Sequence, residues 1–485
     1  MHTTQHFHSF ASWNERLFEE MYVAFYAGRS NSDPSANWYQ GEMWFFDNVV
    51  IPMARRIEES KVFGISGEKS LANAIENRRH WALTGNQIVD GCVSRIKQRL
   101  GIDVSLESKD GNRDAKGQSG PTDHLVQWNT DMLKNLLRKI VALRKDKAAR
   151  QDDLVENPST RNGGESVTLE FPLLVQSGDS SVDPKTILLD SVVETQLEDL
   201  VASIASMYNE HAFHNFKHAS NVANVSDKLL QRLKDEYLEM QTFEPLTHFA
   251  IILSALIHDL DHPGCPNLLL SEDHILCQKY RGKSMAEQHS LVTFWNAFGD
   301  EKYNELRDAL FANQQELTRF QKLVVTCVMS TDLYDTELNE ARSMRWKQVF
   351  ELGDSGRALS MQESKEWQDL RATVVVEHIL IAADISHTMQ HWHSYKRWSE
   401  RFFFETYDLY KSGQLESDPT ITWYTNEIKF FDDIAIPLAH RLKQSGVFGI
   451  FGDDAIRCAL LNRKDWVVRG IAIVDKLKER YELFK

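Results

Sequence analysis

Five cysteines are spread over 485 residues (Cys92, Cys265, Cys277, Cys327 and Cys458), and no two form a C-x-x-C pair. That spacing excludes a disulfide framework and a zinc knuckle, and it fits a reducing compartment. Long apolar runs are missing as well. The longest, FAIILSALI at 249–257, falls far short of the roughly 20 residues a bilayer span needs. The first ten residues, MHTTQHFHSF, lack a charged-then-apolar signal pattern. The expectation is an intracellular, cytosolic chain with no membrane segment of its own; a tether on a longer parent chain stays open. Basic excess is the third absence. Lys and Arg number 55 against 70 Asp and Glu, for a net charge of −15. A basic, phosphate-binding face is excluded, and nucleic acid with it. A small anionic ligand is not excluded, because a metal ion supplies positive charge locally.

What is present is globular in composition, with 42% hydrophobic and 26% charged residues. The length predicts two or three units rather than one core. An internal repeat defines them. Residues 2–100 match residues 387–485 at a constant offset of 385, without a gap. HTTQHFHSF faces HTMQHWHSY, and WYQGEMWFFDNVVIPMARRIEESKVFGISG faces WYTNEIKFFDDIAIPLAHRLKQSGVFGIFG. Roughly four in ten paired positions are identical, far above chance over such a length. Apolar residues recur at three and four in both copies, so the duplicated unit reads as helical.

Between the copies, residues 101–124 are rich in Asp, Ser, Lys, Gly and Asn and read as a flexible linker. Residues 125–150 read as an amphipathic helix with a basic end, and 156–166 as loop. VTLEFPLLV (167–175) reads as a short extended segment, so 125–181 leads into the domain beginning at Val182. From there to the C-terminus helical periodicity dominates and strand signals are almost absent. The fold expected is all-α and multi-helical, preceded at 1–100 by a partial repeat of its own C-terminal part.

FHNFKHASNV (213–222) sets His214 and His218 four residues apart, a spacing that predicts one helical face. ALIHDLDHPG supplies adjacent His258 and Asp259, then His262; Pro263 and Gly264 end the helix there. AEQHS holds Glu287, MSTDL holds Thr331 and Asp332, and IAADISH places Asp384 at the end of an apolar run. Taken singly these have plain readings: a capped helix end for His-Asp, surface charge for Glu287 and Asp332. Taken together they reverse that reading. Carboxylates at the ends of apolar helices cost several kcal/mol unless paired or ligated. Imidazole plus carboxylate without thiolate suits zinc or a similar ion, with magnesium or manganese alongside.

Over about residues 125–485, the motifs HNFKHA, HDLDHPG, STDL and AADISH resemble those of the class I cyclic nucleotide phosphodiesterase catalytic domain, a branch of the HD-domain metallohydrolases. The resemblance implies an all-helical domain that hydrolyses 3′,5′-cyclic nucleotides, cAMP and/or cGMP, to 5′-monophosphates by a metal-bridged hydroxide. It implies two divalent ions per domain, zinc with magnesium or manganese. His218, His258, Asp259 and Asp384 would hold the tighter ion. His262, Glu287, Thr331 and Asp332 would order the water shell of the second. His214 would be the general acid that protonates the leaving 3′-oxygen.

The chain departs from the family at the base. NEIKFFDD places Glu427 where the family has the glutamine that pairs with the purine, and the upstream copy also has glutamate, Glu42. Phe430 fits the aromatic that stacks on the base, and His387 stands where an asparagine is frequent. An ionised glutamate only accepts hydrogen bonds, whereas an amide also donates, so cAMP and cGMP both stay open. Residues 1–100 contain no HNxxH and no HDxxHPG and cannot build a metal site alone. They read as the stump of a preceding tandem domain or as an element that packs on a catalytic domain, with a homodimer as one form of that packing. Two other functions are weighed: a different HD-family nucleotide phosphohydrolase, and a non-catalytic nucleotide-sensing domain.

Overall fold

A computed structural model of the chain describes residues 34–60, 65–99, 121–150, 168–171, 182–236, 244–269, 275–352, 361–448 and 450–484, with positions 10, 14, 15, 17, 18, 21 and 22. The expected loop at 156–166 and the linker stretch 101–120 lie outside them. Among the described residues the regular structure is helical and no strand occurs, so the fold is all-α. The chain divides into two compact units, Met1–Ala115 with Gln390–Arg397, and Lys116–Met389 with Trp398–Lys485. No described helix is long and apolar enough to cross a membrane.

The first unit contains α1 (Pro34–Phe45), a π turn (Phe46–Val50), α2 (Ile51–Glu59) and α3 (Ile65–Arg99). Phe10, Phe18, Tyr22, Phe46 and Trp81 form its core. Phe10 meets Phe46 and Trp81 edge-on, at centroid distances of 5.1 and 5.8 Å. Phe46 is thus internal, while Trp44 and Phe45 of the same aromatic run are exposed at 63% and 39%.

In the second unit, α4 (Pro121–Arg150) takes in residues 121–124, which composition had placed in the linker. Proline is preorganised for a first helical turn, where its missing N–H costs nothing. The segment Thr168–Phe171 is not a strand. Its backbone N–H groups donate instead to α13 side chains, Leu169 to Thr373 (2.9 Å) and Phe171 to Asp369 (3.1 Å). There follow α5 (Ser191–Ser206), α6 (Phe216–Glu236), α7 (Pro245–Ile257), α8 (Ile275–Tyr280), α9 (Met285–Phe298), α10 (Asn304–Leu310), α11 (Gln314–Met329), α12 (Thr336–Trp346) and α13 (Met361–Asp384). Helix α7 is the axis of the unit. Every residue from Leu246 to Ile257 is buried, as an all-round apolar helix requires. It packs on α4, α6 and α11, and α13 packs on α6.

Helices α14 (Trp392–Lys411), α15 (Trp423–Phe430), α16 (Ile436–Gln444) and α17 (Ile450–Phe484) close the chain. A π turn at Phe431–Ala435 precedes α16, as the one at Phe46–Val50 precedes α2. Each is followed at its second helical position by proline, Pro52 or Pro437. A prolyl nitrogen cannot donate and its ring crowds the carbonyl four residues back, and a widened turn accommodates both. Other details recur at the same offset. Arg78 forms a two-pronged bond to Asp47 and Arg463 one to Asp432. Trp81 and Trp466 are both fully buried.

Candidate active site

The sequence spacing of His214 and His218 suggested one shared helical face. The structure corrects this. His214 lies in a bend ahead of α6, which begins at Phe216. Asn215 is the reason: its side-chain oxygen accepts from the backbone N–H of Lys217 (3.0 Å) and His218 (3.1 Å), capping the helix. The two imidazoles stand 6.3 Å apart at 78°. They therefore address different neighbours.

His218, in the first turn of α6, meets the residues that end α7 and α13. Its Nε2 lies 2.9 Å from Asp384 Oδ1 and 3.7 Å from Asp259 Oδ2. His258 Nε2 lies 3.0 Å from Asp259 Oδ2 and 3.5 Å from Asp384 Oδ1. His258 Nδ1–H donates to the Ala255 carbonyl at 2.9 Å, which turns Nε2 toward the carboxylates. Burial alone would push His258 down, but Asp259 and Asp384 hold its pKa well above the ordinary histidine value. Burial would raise Asp384, and the His218 and His258 imidazoles instead hold it well below the carboxylate range. Asp259 is held down in the same way, chiefly by His258 against burial. These shifts all come from the same imidazole–carboxylate contacts.

These residues fit a cation. His258 Nε2 is buried, 3.0 Å from Asp259 Oδ2 but outside hydrogen-bond geometry. One ligand atom each from His218, His258 and Asp259 lies within 4.8 Å of the others. Two imidazoles with two carboxylates are a donor set for zinc or a similar divalent ion.

His214 belongs to a second arrangement. Its Nδ1 is hydrogen-bonded to Glu405 Oε1 on α14. Glu405 Oε2 accepts the backbone N–H of Phe213 (2.7 Å) and His214 (3.0 Å). Burial would lower the His214 pKa, but Glu405 raises it above the ordinary value. Burial would raise Glu405, and His214 brings it down to about 2. The His262 ring stacks on His214 at 4.0 Å and 24°. Burial, followed by the charge of His214, pushes His262 down to about 3. His262 Nδ1 accepts the Gly264 N–H at 3.1 Å. Gly264 has φ +76°, and a Cβ there would stand 2.6 Å from the His211 ring, so glycine is required. Sequence reasoning missed Glu405. Its only signal was an acid among aromatics in RFFFETYDLY.

Glu287 opens α9 and accepts from the Asn267 amide at 3.0 Å. Burial, then repulsion from Asp332, pushes it up to about 7. Asp332 Oδ1 accepts the N–H of Tyr334 (2.9 Å) and Asp335 (3.1 Å). The Thr331 hydroxyl donates to the Val328 carbonyl at 2.8 Å. His387 lies 5.6 Å from the Phe213 ring and 6.2 Å from Trp398, which in turn lies 5.5 Å from His218. Burial, then the charge of His218, pushes His387 down to about 3. Ser399, next to Trp398, donates its hydroxyl to Glu427 Oε1 at 3.1 Å. Phe430 ends the same helix, α15, half-buried.

An all-helical unit that gathers histidine and aspartate donors beside a histidine–glutamate pair defines an HD-type site. Residues 213–446 match the family model for 3′,5′-cyclic nucleotide phosphodiesterase. It is 26% identical over 257 residues to the probable 3′,5′-cyclic-AMP phosphodiesterase pde-4 of Caenorhabditis elegans, covering 50% of this chain and 36% of that one. The likeness to mouse 3′,5′-cyclic-AMP phosphodiesterase 4C is 26%, covering 50% and 35%. For the cGMP-specific 3′,5′-cyclic phosphodiesterase delta of Plasmodium falciparum it is 25%, covering 46% and 26%. The chain thus spans about a quarter to a third of the length of these relatives. Among solved structures, the phosphodiesterase domain of the Salpingoeca rosetta rhodopsin phosphodiesterase aligns with TM-score 0.47 and 20% identity, covering 61% of this chain and 87% of that one.

Proposed function

We propose that residues 182–485 hydrolyse 3′,5′-cyclic nucleotides to nucleoside 5′-monophosphates. The observation that carries this reading is the meeting of His218, His258, Asp259 and Asp384, with imidazole nitrogens 2.9–3.7 Å from carboxylate oxygens, beside the His214–Glu405 pair. His218, His258, Asp259 and Asp384 hold one divalent ion, of which zinc fits the donors best. A second ion, magnesium or manganese, would draw on Asp259 and Asp384, with His262, Glu287, Thr331 and Asp332 as the polar groups around it. When bound, the ions neutralise the phosphodiester and supply an ionised water as nucleophile.

The chain's own residues do the rest. Glu405 fixes the His214 ring through Nδ1 and favours the imidazolium, which leaves Nε2–H as the proton delivered to the leaving 3′-oxygen. His262, kept neutral by its low pKa, lies against that ring without competing for the proton. Ser399 donates to one oxygen of Glu427, which stands with Phe430 and His387 as the base-site groups. Residues 1–100 are a partial duplicate of the C-terminal helices and contain neither HNxxH nor HDxxHPG.

A substrate panel tests this. With cAMP and cGMP the expected product is the 5′-monophosphate, lost with a chelator and restored by divalent ions; deoxynucleoside triphosphates stay intact. His214→Ala is expected to lower kcat by about 10²–10⁴-fold while bound metal is unchanged. Glu427→Gln is expected to change the cAMP-to-cGMP ratio of kcat/KM. Hydrolysis of triphosphates alone, binding without turnover, or metal loss in His214→Ala would overturn the assignment.

A further inference from the structure

Among the described residues, α17 carries several exposed apolar side chains on one side. Leu460, Leu461, Val467, Val468 and Ile471 are 48%, 44%, 46%, 74% and 67% exposed. The opposite face of the same helix carries Ala459, Asn462, Trp466, Ile473 and Leu477 into the unit's interior. One amphipathic requirement is met by that inner face, and the outer stripe is additional to it.

The outer stripe has a regular spacing. Arg457, Leu461, Lys464, Val468, Ile471, Asp475, Lys478 and Glu482 follow one another at alternating steps of four and three, and all are exposed. That is the seam on which two helices pack with knobs in holes. Turned end for end about a point between Arg469 and Gly470, the seam matches itself. Val468 then faces the partner's Ile471, Lys464 faces the partner's Asp475, Leu461 lies along the stem of the partner's Lys478, and Arg457 faces the partner's Glu482. Within the chain Arg463 already pairs with Asp432, Arg457 with Asp454, Lys478 with Asp418 and Glu482 with Lys411, so Lys464 and Asp475 carry the charge complementarity of the seam. In a parallel pair each residue would face itself, with Lys464 on Lys464 and Asp475 on Asp475, which is repulsive.

We propose that α17 is a dimerisation helix whose occupant is the same helix of a second copy, packed antiparallel about a twofold axis. The inference does not rest on the catalytic reading: its surface contains none of the residues placed at the metal centre or the base site. A twofold pair of this kind brings apolar contacts to the middle and charge pairs to the ends, so each chain supplies both halves of every contact.

Sedimentation equilibrium of the full chain at several concentrations and two salt levels tests it. The expected result is a reversible dimer that weakens as salt rises. Val468→Glu/Ile471→Glu is expected to sediment as a monomer with an unchanged helical circular dichroism spectrum and unchanged kcat/KM. Lys464→Asp alone is expected to weaken the dimer at least about tenfold, because two charge pairs are lost per dimer. Lys464→Asp/Asp475→Lys is expected to restore it to within about threefold, since only the antiparallel register exchanges the two charges between partners. A wild-type monomer throughout, a dimer that survives the double glutamate variant, or no recovery in the charge exchange would overturn the proposal.

Discussion

At the scale of single residues, environment decides chemistry more than residue type. Glu405 and Glu42 are both glutamates on or beside aromatic helices. Glu405 faces an imidazole and two backbone N–H groups and is brought down to about 2. Glu42 has one oxygen buried without a partner, and burial pushes it up to about 7 against a single hydrogen bond from Asn14. A raised carboxylate pKa means the folded unit keeps a proton that the unfolded chain has shed. Its stability is complete below about pH 4.5 and declines as pH climbs toward 7. Glu42→Gln removes that loss. Urea unfolding of the variant is expected to show a gain of about 1–3 kcal/mol at pH 8 and a smaller one at pH 5. An equal gain at both values would mean that Glu42 is ionised when folded. At this scale the proposed ligands could be picked out, because His218, His258, Asp259 and Asp384 sit in short, recognisable strings. Glu405 was not: its importance arises from a neighbour nearly 200 residues away, which no local pattern records.

At the scale of elements, helix ends do most of the positioning. Asp384 is the last residue of α13, His258 follows the last of α7, and His218 stands in the first turn of α6. The all-α class and the basic helix at 125–150 followed from periodicity, and the π turns were foreshadowed only by Pro52 and Pro437. The misreading of His214 as helical has an equally local cause. A four-residue spacing implies a shared face only if nothing between interrupts it, and Asn215 is a capping residue that starts the helix after His214. Asn215→Ala is expected to destabilise the domain by about 1 kcal/mol. It is also expected to weaken metal binding, since the first turn carries His218. Thermal unfolding and metal titration check the two effects, and a stability loss without any change in metal affinity would show that α6 holds His218 without its cap.

At the scale of the molecule, the two units divide the labour unequally. Every candidate ligand and base-site residue lies between 214 and 430, and the first unit has a hydrophobic core of its own. Removal of residues 1–100 is expected to leave kcat/KM for cyclic nucleotides within about twofold, because no group that touches substrate or metal is removed. A steady-state assay of the shortened chain decides this, and a loss of a hundredfold or more would mean that the first unit completes the site. The repeat was legible because it preserves identities at a fixed offset. What it could not reveal was which aromatics turn inward, since Phe45 and Phe46 are neighbours in sequence and opposite in burial.

The carboxylate that orients His214 comes from a helix downstream of His218, His258, Asp259 and Asp384. Occupancy and turnover are therefore separate properties. On the proposed reading, a lesion in the final hundred residues that shifts α14 is expected to leave metal content intact while turnover is lost. Screening variants by metal content alone would count such silent molecules as intact.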